Sequence, residues 1–230
     1  MSTTINAGKY GYIIGTVDST WTTARTSGAN AHNQPTTNAY PTQVRRSSGR
    51  GGTDYWIRRF FASFDVSAYA SHTITNLTFN FRSDDSGNTN IDGIVVKSTA
   101  QGNADTDLSA SDFWTDVDMS TAYSSDFSWP DLDANVSATL NASAISQFSN
   151  SYLRICVVQY ENDYGNSPPG ADQNSYAFMN WDTGNSGYVP YIEFDSAAPG
   201  YGNKVIGVTS ASIGEVIDVA SGNIGEVIGV

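Results

Sequence analysis

At 230 residues the chain has room for one β-sandwich of ordinary size and an extension. Thirteen Tyr, ten Phe and five Trp stand among abundant Ser and Thr with little Leu, a composition that favours strands over helices. Twenty-three acids against 11 bases give a net charge of −12, the wrong sign for a general nucleic-acid binder or an anionic-membrane binder.

Residues 1–8 are small and polar and read as a short arm. The opening Met1-Ser-Thr-Thr-Ile-Asn6 has neither the basic start nor the apolar block of a secretory signal. Nor does the chain hold a run of about 18 apolar residues, the length a membrane span needs. Lys9 to Val17 predicts a first strand, with Gly11 and Gly15 marking bends or close backbone contact. From Asp18 to Thr53 no periodicity survives. A loop that long is unusual in a compact domain, so one strand is expected near Ser19 to Arg25 and the remainder as a cover over a neighbour.

The strongest pattern runs from Tyr55 to Arg82. Trp56, Phe60, Ala62, Phe64 and Val66 recur at even positions, with Arg59, Ser63 and Asp65 on the other face, the period of a strand with one side on a core. The alternation resumes at Leu77, Phe79 and Phe81. The intervening Ser67 to Thr73, opened by an Asp-Val-Ser turn, is long enough to carry the chain from one sheet of a sandwich to the other. Arg58 and Arg59 are expected to reach carboxylates on the rim. After a turn over 82–91, Ile91 to Lys97 reads as a mostly buried strand, and 98–135 as a long acidic connection pinned to the sandwich by Phe113, Trp114, Phe127 and Trp129. Leu140 to Phe148 suits one or two helical turns. Tyr152 to Tyr160 is apolar on both faces and belongs in the middle of a sheet. It holds the sole cysteine, Cys156, read as a buried, inert thiol.

Beyond Ala197-Ala-Pro-Gly200 the composition changes. Lys204-Val-Ile-Gly-Val208, Glu215-Val-Ile-Asp-Val219 and Glu226-Val-Ile-Gly-Val230 recur every 11 residues, and the Ala/Ser/Gly segments between them match as well. With almost no helix former in the unit, short strands joined by those segments are expected. So few repeats cannot bury Val205, Ile206, Val208, Ile213, Val216, Ile217, Val219, Ile224, Val227, Ile228 and Val230 by themselves, so these residues are candidates for docking or oligomerisation.

Other candidate sites each have a plainer reading. Asp84, Asp85, Asn88, Asn90 and Asp92 place oxygen ligands as a calcium loop does, but the Glu of an EF-hand is replaced by Val95; a polar hairpin loop is the alternative. No other cofactor is indicated. Arg45, Arg46 and Arg50 form the basic cluster of an acidic chain and suit an interface with acidic patches of neighbouring subunits, or else a solvated loop. Trp21, Tyr55, Trp181 and Tyr188, with Tyr40 and Tyr164, can stack on sugar rings, though aromatics in a sandwich more often serve core or interface. His32 and His72 are the only histidines and neither sits in a nucleophile, metal or phosphate motif, so no enzyme is expected.

The stretch Ile57-Arg-Arg-Phe-Phe-Ala-Ser-Phe-Asp-Val-Ser67 through Phe81-Arg82 resembles the signature of DNRLRE-type β-sandwich modules. Phe178-Met-Asn-Trp181 and Val189-Pro-Tyr-Ile-Glu-Phe194 are similar to that pattern's closing strand pair. The resemblance spans roughly residues 10–195. It implies a jelly-roll-like carbohydrate-binding or adhesive module with no catalytic set. The tail resembles the ends of structural proteins encoded by tailed bacteriophages. Together these imply an all-β, jelly-roll-like antiparallel β-sandwich over 9–196, flanked by the arm (1–8) and by a linker and repeat tail (197–230). The expected role is a virion structural protein: capsid decoration, head fibre or tail-associated adaptor. Its partners would be copies of itself (a trimer by the habit of viral fibres), other virion proteins and a host glycan, with no nucleic acid or membrane. A carbohydrate-binding module and a bacterial surface filament subunit are the alternatives.

Overall fold

A computed structural model of the chain describes residues 2–34, 39–49, 52–84, 91–102, 106–131, 133–180 and 189–199, together with 215–216 and 219–220 in the tail. In chain order the strands are β1 (Ser2–Asn6), β2 (Lys9–Gly15), β3 (Gly28–Asn33), β4 (Ala39–Gly49), β5 (Gly52–Asp65), β6 (Thr73–Arg82), β7 (Ile91–Ser98), β8 (Val117–Ala122), β9 (Phe127–Trp129), β10 (Asn135–Thr139), β11 (Tyr152–Gln159), β12 (Asn174–Met179), β13 (Tyr191–Ala197), β14 (Glu215–Val216) and β15 (Val219–Ala220). Short helices α1 (Trp21–Thr26), α2 (Asp112–Thr115) and α3 (Ala142–Ile145) lie between them, and a wide helical turn spans Tyr160–Tyr164.

Two antiparallel sheets form the sandwich. The smaller runs β1-β13-β6-β10; the larger runs β12-β4-β5-β11-β7-β8, with β2 also paired to β5 and β3, and β9 to β7. As its pattern predicts, β5 crosses to the smaller sheet through a 3-10 turn over Ser67–Tyr69. Asp65 Oδ1 accepts the Ser67 amide at 3.0 Å, and hydrogen bonds from Ser67 hold the Asp65 carboxyl below the usual carboxylate range.

Between the sheets the even positions of β5 meet β6: the Phe60 and Phe79 rings lie 6.1 Å apart, and Phe64 sits edge-on to Phe79. Leu153, Ile155 and Val157 of β11 join this layer from between β5 and β7. The expected helical turns form α3 and the 3-10 turn after it, capped by the Asn141 side chain, with Phe148 buried.

The odd face of β5 departs from expectation. It is not turned to solvent: Ile57, Arg59, Phe61 and Ser63 are fully buried. Ile57 and Phe61 join Val96, Cys156 and Val158 in a second apolar layer under α1, α2 and the wide turn. The larger sheet is therefore covered on both sides. Burial pushes the Cys156 thiol well up, consistent with an inert residue. The aromatics of the 98–135 connection serve this packing, Phe113 in the outer layer and Trp129 in the inner, but that connection also contains α2, β8 and β9. Close approach explains two glycines: a Cβ on Gly11 would collide with the His32 carbonyl oxygen, and one on Gly15 would stand 2.8 Å from the Phe113 ring.

Four further expectations are corrected. The arm is strand β1, which pairs with β13 in register Ser2↔Asp195 to Asn6↔Tyr191. The segment near Ser19 to Arg25 is helix α1 rather than a strand, started by Asp18 Oδ1, which accepts the Thr20 amide and hydroxyl. Between α1 and β5, most of the described chain is β3 and β4 rather than loop. Pro41 is tolerated in β4 because pairing with β5 begins only at Gln43, so its missing N–H costs no bond of that ladder. Finally, β12 and β13 do not pair with each other but lie in opposite sheets. In the tail, β14 and β15 pair as Glu215↔Ala220 and Val216↔Val219, within one Val-Ile block rather than between two.

Replacing Phe60 by Ala is expected to cost about 3–5 kcal/mol, read from the midpoint of urea unfolding, because the site is closed on every side and cannot collapse.

Candidate functional site

Arg59 is the most deeply placed charge of the outer layer. Its side chain is 0% exposed and that of Asp163 1%. The pair is bidentate, Nε to Oδ2 and Nη2 to Oδ1 both at 2.7 Å. Two further donors are used as well, Nη1 on the Phe113 carbonyl at 2.5 Å and Nη2 on the Arg25 carbonyl at 3.0 Å. Arg25 of α1 in turn donates through Nε and Nη2 to the Asp163 carbonyl at 3.0 and 2.8 Å. Burial weakens Arg25's hold on its proton, and the Asp163 charge opposes that shift. The Phe113 ring lies 4.2 Å from the Arg59 guanidinium, and Trp114 flanks both arginines. Gln159 orients the wide turn by accepting the Asn162 and Asp163 amides. Four Arg59 N–H groups and two of Arg25 face fixed protein acceptors, so this network is a clamp tying α1, α2 and the wide turn to β5. Arg59 thus finds a carboxylate as expected, but beneath the outer layer and not at the rim.

Two arrangements do reach the surface. The first is a strip on the face of β5 that, further along, carries Phe60. Arg45 of β4 stands opposite Trp56 and lies over its indole, 4.4 Å from the ring centroid. Arg58, two residues on, is 5.9 Å from the Tyr12 ring, and Tyr12 stacks on His32 at 4.6 Å and 12°. Trp56 therefore sits on the core face, as its position predicts, yet is only half-buried. Arg46 points to the opposite face, 5.8 Å over Tyr55 and donating to the Pro169 carbonyl at 3.3 Å. The basic cluster is thus divided between two faces, and Arg50 lies outside the described residues.

The second is a groove of about 420 Å³ on the outer face of the smaller sheet, lined by Ser2, Asn76, Thr78, Asn80, Ser137, Glu193 and Asp195. Ser2 Oγ donates to Glu193 at 2.7 Å and Asn76 Nδ2 to Asp195 at 2.8 Å. A β-bulge opposite Glu193 and Asp195 puts Asn76 at φ 53°, in the left-handed region that Asn tolerates, and re-aims its side chain into the groove.

The sugar-stacking candidates divide. Trp21 and Tyr55 are buried edge-to-face against each other, 5.6 Å apart, and Trp21 Nε1 donates to Asn166; neither offers a face to a sugar. Trp181 and Tyr188 lie outside the described residues. Tyr164 is half-buried and stacks on Tyr160. Of the calcium set, Asp85, Asn88 and Asn90 lie outside the described residues; Asp84 is buried, and Asp92 lines a recess with Asp131 and Glu161. Among the described residues no three His, Cys, Asp or Glu side chains are grouped to hold a metal ion. The docking residues of the tail lie outside the described residues except for the backbone pairing of Val216 with Val219.

No known family pattern and no curated protein matches the chain. Sequence reasoning missed the Asp163 clamp and the acidic groove. The first had a signal in Trp21, Ala24 and Arg25 at helical spacing. The second had one in Glu193 and Asp195 alternating with Phe194.

Asp163→Leu and Arg59→Met are each expected to cost about 3–5 kcal/mol, because each strands a buried charge; the double variant should lose much less than their sum. Chemical denaturation of the four-member cycle measures this, and additive losses would contradict the clamp.

Proposed function

We propose that the chain is a structural subunit of a tailed-bacteriophage virion, a decoration protein, head fibre or tail-associated adaptor. It displays the β-sandwich and docks on other copies or on capsid or tail proteins through its C-terminal Val-Ile repeats. The observation that carries this reading is a division of labour along the chain. Residues between Ala7 and Phe194 supply two filled apolar layers, one on each side of the larger sheet. Three further Val-Ile blocks then follow at 11-residue spacing. The described strands of the tail pair with each other as a separate two-stranded sheet, joined to neither sheet of the sandwich. So few repeats cannot bury their own Val and Ile side chains, and such blocks gain most from a surface on another chain. The DNRLRE-type resemblance and the phage-like tail pattern support the same reading.

The groove on the smaller sheet favours a second reading, a carbohydrate-binding module. Carboxylates, amides and hydroxyls along one sheet face are the groups that bind sugar hydroxyls. A glycan array distinguishes the two: this reading expects a signal lost on Glu193→Ala, and a blank array removes it.

For the leading reading, deleting 201–230 should abolish incorporation into particles while leaving the sandwich's circular dichroism and unfolding midpoint unchanged. Wild-type occupancy of the truncated chain would overturn it.

A further inference from the structure

We propose that the strip built on Arg45, Trp56 and Arg58 is a docking surface for a second copy of this chain, and that it seats on that copy's groove at Glu193 and Asp195. This contact is separate from the tail and does not rest on the role assigned to it. Four other cations of the sandwich are already paired with carboxylates. Arg25 and Arg59 are consumed by Asp163, Arg82 pairs with Asp133 at 2.7 Å, and Lys9 with Asp107 at 2.8 Å. Arg45 is exposed and meets no carboxylate among the described residues, in a chain that carries 23 acids. Its guanidinium instead lies over an indole, which limits its freedom while leaving the N–H edge available for a carboxylate.

Glu193 is the counterpart. It is exposed, accepts the Ser2 hydroxyl, and has no Lys or Arg partner among the described residues. The spacings agree. Arg45 and Arg58 are diagonal neighbours on paired strands, which places their stems about 7–8 Å apart. Glu193 and Asp195 stand two residues apart on the same side of β13, about 6.6 Å. Arg45 and Glu193 thus form the matching charge pair, with Arg58 and Asp195 beside them at the same spacing, Trp56 as the apolar anchor and the groove as its seat.

A second copy is the occupant because one chain carries both halves, on different sheets. Net charge −12 makes two copies repel at long range, so attraction must act at contact, where oppositely charged patches face each other within a Debye length. The two halves are different surfaces, so the contact is heterologous and generates a ring or an open row rather than a two-fold dimer.

The test uses the full chain. Copies bearing a photo-crosslinking residue in place of Ser47, beside Arg45 on β4, are mixed with isotope-labelled copies, and crosslinked peptides are read by mass spectrometry. The proposal expects mixed-isotope crosslinks from position 47 to segments 73–82 or 191–197. Their yield should fall at least about tenfold in Arg45→Glu, since a broken charge pair costs more than one decade of affinity. It should recover in the charge-swapped Arg45→Glu/Glu193→Arg chain. Circular dichroism confirms that these surface variants fold. Mixed-isotope crosslinks that are absent or fall elsewhere, crosslinks only to a different protein, or a swap that fails to recover would each overturn it.

Discussion

Arg59 is the point on which the outer layer turns. A sheet whose two central strands are apolar on both faces must be covered twice. The inner cover is a second sheet, while the outer one is made of elements too short to hold themselves in place. α1 has six residues and α2 four, below the length at which a helix is stable alone. The carboxylate of Asp163, the carbonyls of Phe113 and Arg25, and the Arg59 guanidinium bring those pieces to one place. A buried ion pair is a weak source of net stability, because desolvation offsets most of the attraction. Its value here lies in selection: few arrangements of α1, α2 and the wide turn make these bonds at once, and the others leave a charge buried without a partner.

Much of the sandwich was legible because it obeys the two-residue period. β5, β6, β7 and β11 announce themselves through alternating Phe, Ile, Leu and Val, and the crossing after Asp65 through its turn chemistry. What stayed hidden was structure made by context. β4 is polar, contains Pro41 and carries two arginines; it is a strand because β5 and β12 flank it. β1 is Ser and Thr with one Ile, and is a strand because β13 needs a neighbour. In α1 the buried stripe is Trp21, Ala24 and Arg25, and an arginine in the apolar position conceals the helical period. Likewise Arg59 sits where the pattern asks for a polar, outward residue, and nothing local reveals the layer above it.

The surface sites were legible by composition and not by geometry. Arg45 and Arg46 stand out as neighbours in sequence, but successive strand residues face opposite ways, so one lies over Trp56 and the other over Tyr55. The aromatics that suggested sugar platforms illustrate the reverse. Trp21 and Tyr55 are large enough that the outer layer consumes them. The acidic groove depends on a bulge in β6 that no period predicts. Candidate sites on this molecule are accordingly sought in what the packing of the described residues leaves over, a cationic strip and an acidic groove, and in the Val-Ile repeat of the tail sequence.

The central claim is that the sandwich is complete in itself and that the tail finds its cover on another chain. Hydrogen–deuterium exchange on the whole protein, first dilute and then in the assembled particle, addresses it most directly. The account predicts slow exchange in β5, β7 and β11 under both conditions, and exchange at the 205–230 amides that slows only on assembly. Tail amides already protected in the dilute, monomeric chain would contradict it.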